Sequence, residues 1–297
     1  MTKDYSKISP TAVMVSALRA KYTDLPYSKE LYRAVKLITK PRLFAGMGPI
    51  LSRLTRFAPH SMVKLASLES RYLSVNGVLQ ELDDSYAVVE IACGLSARGL
   101  EWIGSNKLYI ETDLPDMLSI KQQVFGNILI EKGISQAINH HFFPLNALDY
   151  DDWDRLGQKF FNAKKSNIAI IHEGLAGYLS IEEKQKLMDN IKRFFHKYSI
   201  AGIWITPDFY PYDGDRGTWI LKLWKKGLER KTQTKIHYFA NNHELLDFLL
   251  HGGFQASLRS SSFVLDQVTC ISKVPLDKEE VRQALDRYQV CIARYTA

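Results

Sequence analysis

The chain has 297 residues, 46% hydrophobic and 24% charged, with 39 Lys plus Arg against 32 Asp plus Glu and a net charge of +7. These fractions belong to a folded globular chain and exclude disordered, collagen-like or coiled-coil arrays. The length accommodates one large domain or two ordinary ones. No run of 18 apolar residues occurs, so no membrane span is expected, and the polar start leads into no signal-like stretch. Three cysteines, Cys93, Cys270 and Cys291, lie far apart without a C-x-x-C. That spacing points to a reduced, cytoplasmic protein without a disulfide frame or a metal site. The positive excess is small for the length and does not by itself call for nucleic acid. Its densest run, Lys222 to Lys235, reads as a solvated amphipathic segment.

The first 85 residues read as helices: Ala12 to Lys21, Ser28 to Thr39, then pieces between Leu51 and Leu82, broken by Gly46-Met-Gly48-Pro49. From Tyr86 on, short β-rich runs alternate with longer helical ones. The β-rich runs are Tyr86 to Ala92, Lys107 to Asp113, Ile138 to Phe143, Asn167 to Glu173 and Ile200 to Thr206. The helical stretches are Asp116 to Lys132, Asp151 to Ala163 and Ile181 to Tyr198. Such alternation implies an α/β fold with a mostly parallel sheet covered on both faces. A helix is expected at Asn242 to His251. Phe254 to Arg259 and Phe263 to Val274 then read as an antiparallel pair at the sheet edge. Pro207 to Phe239 lacks a strand and reads as an insertion able to form a lid or substrate wall. The division expected is a helical cap over residues 1–85 and a core over 86–297, forming one compact unit.

The first strand runs into Glu90-Ile-Ala92-Cys-Gly94-Leu-Ser-Ala-Arg98-Gly99, a small-residue turn that lets backbone amides approach a ligand. Asp113 closes the next strand, 19 residues after Gly94, where an acid is placed to hydrogen-bond a ribose; Glu111 is its competitor. A nicotinamide site wants G-x-G-x-x-G. Here alanine stands at the first glycine and Glu90 lies two places before it. This acid-x-G-x-G type of turn, with a late antiparallel pair, points to S-adenosylmethionine (SAM) rather than NAD. Other signals fail. Arg98 occupies the last glycine of a G-x-S-x-G elbow, and His172-Glu173 lacks the second histidine of H-E-x-x-H. His140 and His141 alternate across a strand and do not share a metal readily.

These residues resemble the leucine carboxyl methyltransferase-like family of class I SAM-dependent methyltransferases, over about Ser9 to Val274. The similarity rests on the Ser9-to-Ala20 helix with Arg19 and on Arg71 before Asn76-Gly77-Val78. It rests also on Val89 to Arg98, on Glu111-Thr-Asp113-Leu-Pro115 as the family's E-x-D-x-P, and on His172-Glu173-Gly-Leu-Ala-Gly-Tyr178-Leu. The resemblance implies a Rossmann-like, seven-stranded mixed sheet. It assigns Arg71 to the methionine carboxylate of SAM, Glu90, Ala92 and Gly94 to the turn, and Asp113 to the ribose. Asn146 and Ala147 fall at the adenine, and Glu173 near the methionine end. Ala92 and Asn146 depart from the family's glycine and aspartate. A methyl group at 92 fits the turn only if φ stays negative.

The function expected is SAM-dependent O-methyl transfer to a carboxylate or hydroxyl of a small-molecule or peptide acceptor, leaving S-adenosylhomocysteine. A carboxylate needs no general base. For a hydroxyl, Glu173, His172 and Tyr178 are the candidates. Arg19, Lys21 or Arg98 would receive an anionic group, and Trp204, Phe209, Tyr210, Tyr212 and Trp219 would form walls. Thr206-Pro-Asp-Phe209 lacks the paired prolines of an amine-methylating loop, which favours oxygen. Three alternatives stay open: an NAD(P)-linked Rossmann oxidoreductase, a non-catalytic binding protein on the SAM fold, and a tRNA-acting methyltransferase. The oligomeric state is not indicated.

Overall fold

The computed structural model describes residues 9–38, 59–135, 138–162, 166–209, 238–274 and 276–295. The described chain opens with α1 (Ser9–Tyr22), α2 (Ser28–Ile38) and α3 (Pro59–Gln80). Alternation follows: β1 (Tyr86–Glu90), α4 (Arg98–Glu101), β2 (Tyr109–Asp113), α5 (Pro115–Lys132), β3 (His140–Pro144), α6 (Tyr150–Phe160), β4 (Ser166–Ile171), α7 (Ile181–Tyr198) and β5 (Ser199–Thr206). The last part holds α8 (Asn242–His251), β6 (Phe254–Ser260), α9 (Cys270–Lys273), α10 (Lys278–Leu285) and β7 (Gln289–Tyr295).

One seven-stranded sheet takes the order β3-β2-β1-β4-β5-β7-β6. Strands β1 to β5 are parallel, and β7 enters antiparallel between β5 and β6. The chain winds outward from β1 through β2 to β3, then returns to β4 on the other side of β1. That reversal opens a crevice at the carboxyl ends of β1 and β4, where doubly wound sheets hold their ligands.

The local pattern explains the layers. Ile168, Ala169, Ile170 and Ile171 of β4 are all fully buried, as expected of a parallel strand covered on both faces. On one face Trp153 of α6, Ile191 and Phe194 of α7 and Leu249 of α8 join the core. On the other, Val75, Val78 and Leu79 of α3 pack against Val88, Ala169 and Ile203. Helices α1 and α2 rest on α5 through Val13, Leu31 and Val35 against Val124 and Ile128. The start of α7 is set by a capping box. The Ser180 hydroxyl accepts from the Glu183 amide at 3.3 Å, and the Glu183 carboxylate accepts from the Ser180 amide at 2.9 Å. No helix among the described residues is long and apolar enough to cross a membrane.

Three expectations are corrected or limited. The antiparallel partner of β6 is β7, not Phe263 to Val274. That stretch folds as a 3-10 turn (Ser261–Gln267) followed by α9. Its buried side chains are Val264, Val268 and Cys270, and Glu69 of α3 accepts from the amides of Thr269 and Cys270 at 3.0 and 2.9 Å. The helical pieces read before Leu82 become, from Pro59 on, the single helix α3. Gly77 within it is needed for contact, since a Cβ there would lie 2.9 Å from the Phe263 ring. Gly46 to Pro49, Tyr210, Tyr212, Trp219 and the basic run Lys222 to Lys235 lie outside the described residues, so most of the expected insertion does too.

Close packing of α7 on β5 depends on Gly202, where a Cβ would fall 2.4 Å from the Phe195 ring. Gly202→Ala is expected to cost about 1–3 kcal/mol through overpacking. Urea unfolding should show a lower midpoint with an unchanged slope.

Candidate functional site

The turn after β1 is pinned from both sides. The Ile91 amide donates to the Ile171 carbonyl of β4 at 2.9 Å, and the Cys93 amide to the Thr112 carbonyl of β2 at 2.9 Å. Between them the backbone reverses, and Ala92 takes φ +50° while Gly94 takes φ +48°. The negative φ expected at Ala92 is therefore not what the fold adopts. An L-residue in this region costs about 1–2 kcal/mol, because Cβ crowds the backbone. Gly94 donates its amide to Asp113 Oδ2 at 2.8 Å, and Leu114 donates to Asp113 Oδ1 at 2.7 Å. Asp113 thus joins the end of β2 to the turn after β1. Burial pushes its carboxyl above the ordinary value, and the two amides oppose that rise.

Behind the turn lies a buried ionic network centred on Arg98, which is wholly inaccessible. Its guanidinium donates to Glu90 Oε1 at 2.5 Å, Asn76 Oδ1 at 2.7 Å and Glu173 Oε2 at 3.1 Å, and stacks over the Tyr72 ring at 4.4 Å. Tyr109 donates its hydroxyl to the other Glu90 oxygen at 2.7 Å. Both Glu90 oxygens are therefore engaged inside the protein. Burial works against the charge of Arg98, but Glu90, Tyr109 and Glu173 together hold its pKa above the ordinary value. Glu173, just past β4, also accepts from Arg19 of α1. Burial pushes the Glu173 carboxyl up, yet Arg19, Arg71 and Arg98 outweigh it and keep it below the ordinary range.

A second carboxylate, Asp208, ends the described part of the segment after β5. Its Oδ1 accepts from Arg71 of α3 and from the Gly174 amide, both at 2.7 Å. Its Oδ2 accepts from the amides of Leu175 and Ala176 at 2.8 and 3.0 Å, and faces His172 Nδ1 at 2.9 Å. Burial raises the Asp208 carboxyl, but His172, Arg71 and the amide donors pull it far below the usual range.

Most residues singled out from sequence therefore meet at one edge. Arg71, Glu90, Ala92, Gly94, Asp113 and Glu173 gather at the carboxyl ends of β1, β2 and β4. Asn146 and Ala147 follow β3. Asn146 is exposed and accepts from the Leu148 amide at 3.1 Å, while the Ala147 carbonyl accepts from Trp153 and Asn190. Tyr178 is half-buried on a 3-10 turn (Ala176–Tyr178). Glu111, the rival of Asp113, is fully buried against Lys121 at 2.5 Å and His140 at 2.9 Å, away from the crevice. Arg98 is fully enclosed and not available to receive an anionic group; Lys21 lies over the Tyr22 ring at 4.7 Å. Sequence reading treated Asp208 only as part of a loop. Its sole local signal was an acid two residues past a β-run. Tyr72 and Glu101, which with Asn76 form the hydrogen bonds that brace Arg98, carried no signal at all.

Residues 52–192 match the family model for leucine carboxyl methyltransferase. A Mycobacterium marinum protein named for S-adenosyl-L-methionine-dependent methyl transfer is 26% identical over 266 residues, covering 86% of this chain and 85% of that one. A Mycobacterium tuberculosis H37Rv protein named for the same activity is 25% identical over 268 residues, covering 85% and 84%. Among solved structures, one of an O-methyltransferase from Nostoc punctiforme aligns with a TM-score of 0.48 at 13% identity, over 92% of this chain and 74% of that one. So distant a likeness adds nothing to the strand order described above. Over the matched residues, just under half of the chain, the sequence is similar to the leucine carboxyl methyltransferase family.

Two measurements follow from this geometry. Ala92→Gly relieves the left-handed strain but restores glycine's larger unfolded-state entropy, so a net gain of about 0.5–1 kcal/mol is expected by urea unfolding. Glu173→Gln leaves two buried arginines without their shared partner and is expected to cost about 3–5 kcal/mol at pH 7. The folded pKa of Glu173 lies below its unfolded value, so its contribution is complete above the unfolded carboxylate range, about pH 4.3, and declines as pH falls through the folded value. The stability gap between wild type and Glu173→Gln should therefore narrow below about pH 4. A gap that stays constant down to pH 3 would contradict the ion-pair account.

Proposed function

We propose that this chain uses SAM to methylate an oxygen of a small-molecule or peptide acceptor, and that the acceptor is a carboxylate. The observation that carries this is the crevice at the β1–β4 reversal, with Asp113 tied to Gly94 on one side and Arg71 and Glu173 on the other.

The residues present fit that cofactor. Asp113 accepts one amide on each oxygen and retains lone pairs for ribose hydroxyls. In front of Gly94 the nearest atom to an added Cβ is Ala12 Cβ at 3.8 Å, so a ligand has close access to the backbone there. Arg71 suits the cofactor's carboxylate, and Glu173 its ammonium. Asn146 and Ala147 flank the adenine side. Glu90 and Arg98 act from behind, holding the turn. The helices of residues 1–85 serve as a cap over the core of 86–297, and they contribute Arg19 and Arg71. When bound, SAM supplies a methyl group on a sulfonium, activated towards an oxygen nucleophile.

The choice of acceptor rests on two of the three candidate bases, Glu173 and His172; the third, Tyr178, is half-buried on its 3-10 turn. Glu173 is held ionised by arginines. His172 is wholly buried and committed to Asp208. Asp208, the acid of Thr206-Pro-Asp-Phe209, has its carboxylate taken by internal donors and is not offered to an amine. A carboxylate acceptor needs no base, because it is already anionic at neutral pH. Of the cations expected to receive an anionic group, Arg19 lines a narrow recess with Ser16, Leu31, Tyr72 and Leu95. The protein acts in the cytoplasm on this reading.

Calorimetry with SAM, S-adenosylhomocysteine and NAD tests the cofactor. Binding of the first two and not the third is expected; the reverse would reject the proposal. Asp113→Ala should weaken S-adenosylhomocysteine binding about tenfold or more, the magnitude of a charge-assisted hydrogen bond. A methyl-transfer screen of carboxylic acids, phenols and C-terminal peptide carboxylates then decides the acceptor. Transfer to phenols alone would overturn the carboxylate assignment.

A further inference from the structure

We infer that Asp208 is a positioning residue that sets the spacing between the two groups recognising the amino-acid end of the cofactor. This rests on the SAM assignment above.

Arg71 and Glu173 come from different parts of the fold. Arg71 projects from α3, and Glu173 sits on the loop leaving β4. The described contacts include no hydrogen bond between the two. Asp208 links them. Its Oδ1 holds the Arg71 guanidinium and the amide of Gly174, the residue next to Glu173, at 2.7 Å each. Its Oδ2 holds the next two amides, Leu175 and Ala176. Gly174 has φ +84°, and a Cβ there would lie 4.0 Å from Arg71 Nη2, so the turn passes close beneath the guanidinium.

The carboxylate is itself fixed. Its side chain is only 2% exposed. Its own amide donates to Thr206 Oγ1 at 3.1 Å, and the same hydroxyl lies 3.1 Å from His172 Nδ1. His172 in turn is held between Trp204 and Phe209. A buried charge this well satisfied does not swing aside. It places Arg71 as a cation next to an acidic loop, so that a zwitterion bearing both a carboxylate and an ammonium finds both partners at one distance. An uncharged amide at 208 cannot do this, because its NH2 would face an N–H donor or the guanidinium.

The test uses two probes that differ only in the amino-acid arm. S-Adenosylhomocysteine carries it, and 5′-methylthioadenosine does not. For Asp208→Asn in the full chain, calorimetry should show the first bound about tenfold or more weaker, a lost charge-assisted contact, and the second unchanged within about twofold. The double variant Arg71→Ala/Asp208→Asn should bind S-adenosylhomocysteine no more weakly than Arg71→Ala alone. Equal weakening of both probes would reduce Asp208 to a support of the fold. Tighter S-adenosylhomocysteine binding would make it a competitor for Arg71. Either result overturns the inference. Should Asp208→Asn fail to fold, Asp208→Glu retains the charge one methylene further out and should show the same selective loss. Wild type that binds neither probe refutes the cofactor assignment itself, and this inference with it.

Discussion

The arrangement at the carboxyl edge of the sheet depends on one buried cation. Arg98 follows the turn after β1, yet it meets Glu90 from the end of β1, Asn76 and Tyr72 from α3, and Glu173 from the loop after β4. Taking a guanidinium out of water is costly, and its interactions offset that cost only when every donor is placed. Such a group does not tolerate drift of its partners. The ends of β1, β4 and α3 are locked to one another because one charge has to be satisfied by all three.

From that constraint the crevice follows. The turn is held from below by Glu90 and Arg98, and from the side by Asp113 and the carbonyls of Ile171 and Thr112. The amides of Ile91, Cys93 and Gly94 are taken by these partners, which fixes the course of the backbone at the reversal of the sheet. Ala92 is the place where this arrangement conflicts with local preference. The pinned neighbours require a left-handed residue, and the chain supplies a methyl group there.

Charge is balanced across the site by partners from distant segments. Arg19, Arg71 and Arg98 face Glu90, Glu173 and Asp208. The two carboxylates after β4 and β5, Glu173 and Asp208, are both held ionised despite burial. No group in this set serves as an obvious proton acceptor for a hydroxyl.

Much of this was legible before the fold was known. Alternation of apolar runs placed β1 to β5 and the helices between them, because parallel strands buried on both faces leave continuous hydrophobic stretches. The turn chemistry of Glu90 to Gly99 and the acid at Asp113 marked the crevice, because local spacing is enough to set a strand–turn–helix and the next strand end. The closing strand was misplaced, because Phe263 to Val274 has the residue types of a strand, while contacts with α3 and Glu69 fold it otherwise. The φ of Ala92 was beyond reach, since it is imposed by hydrogen bonds to β2 and β4. Asp208 and its link to Arg71, 137 positions away, depend on long-range convergence that no local pattern records. Local sequence determined the elements and the acid and glycine positions that edge the crevice. Only the packed chain decided which charges meet, because the cost of burying a charge is settled by neighbours that tertiary structure alone brings together.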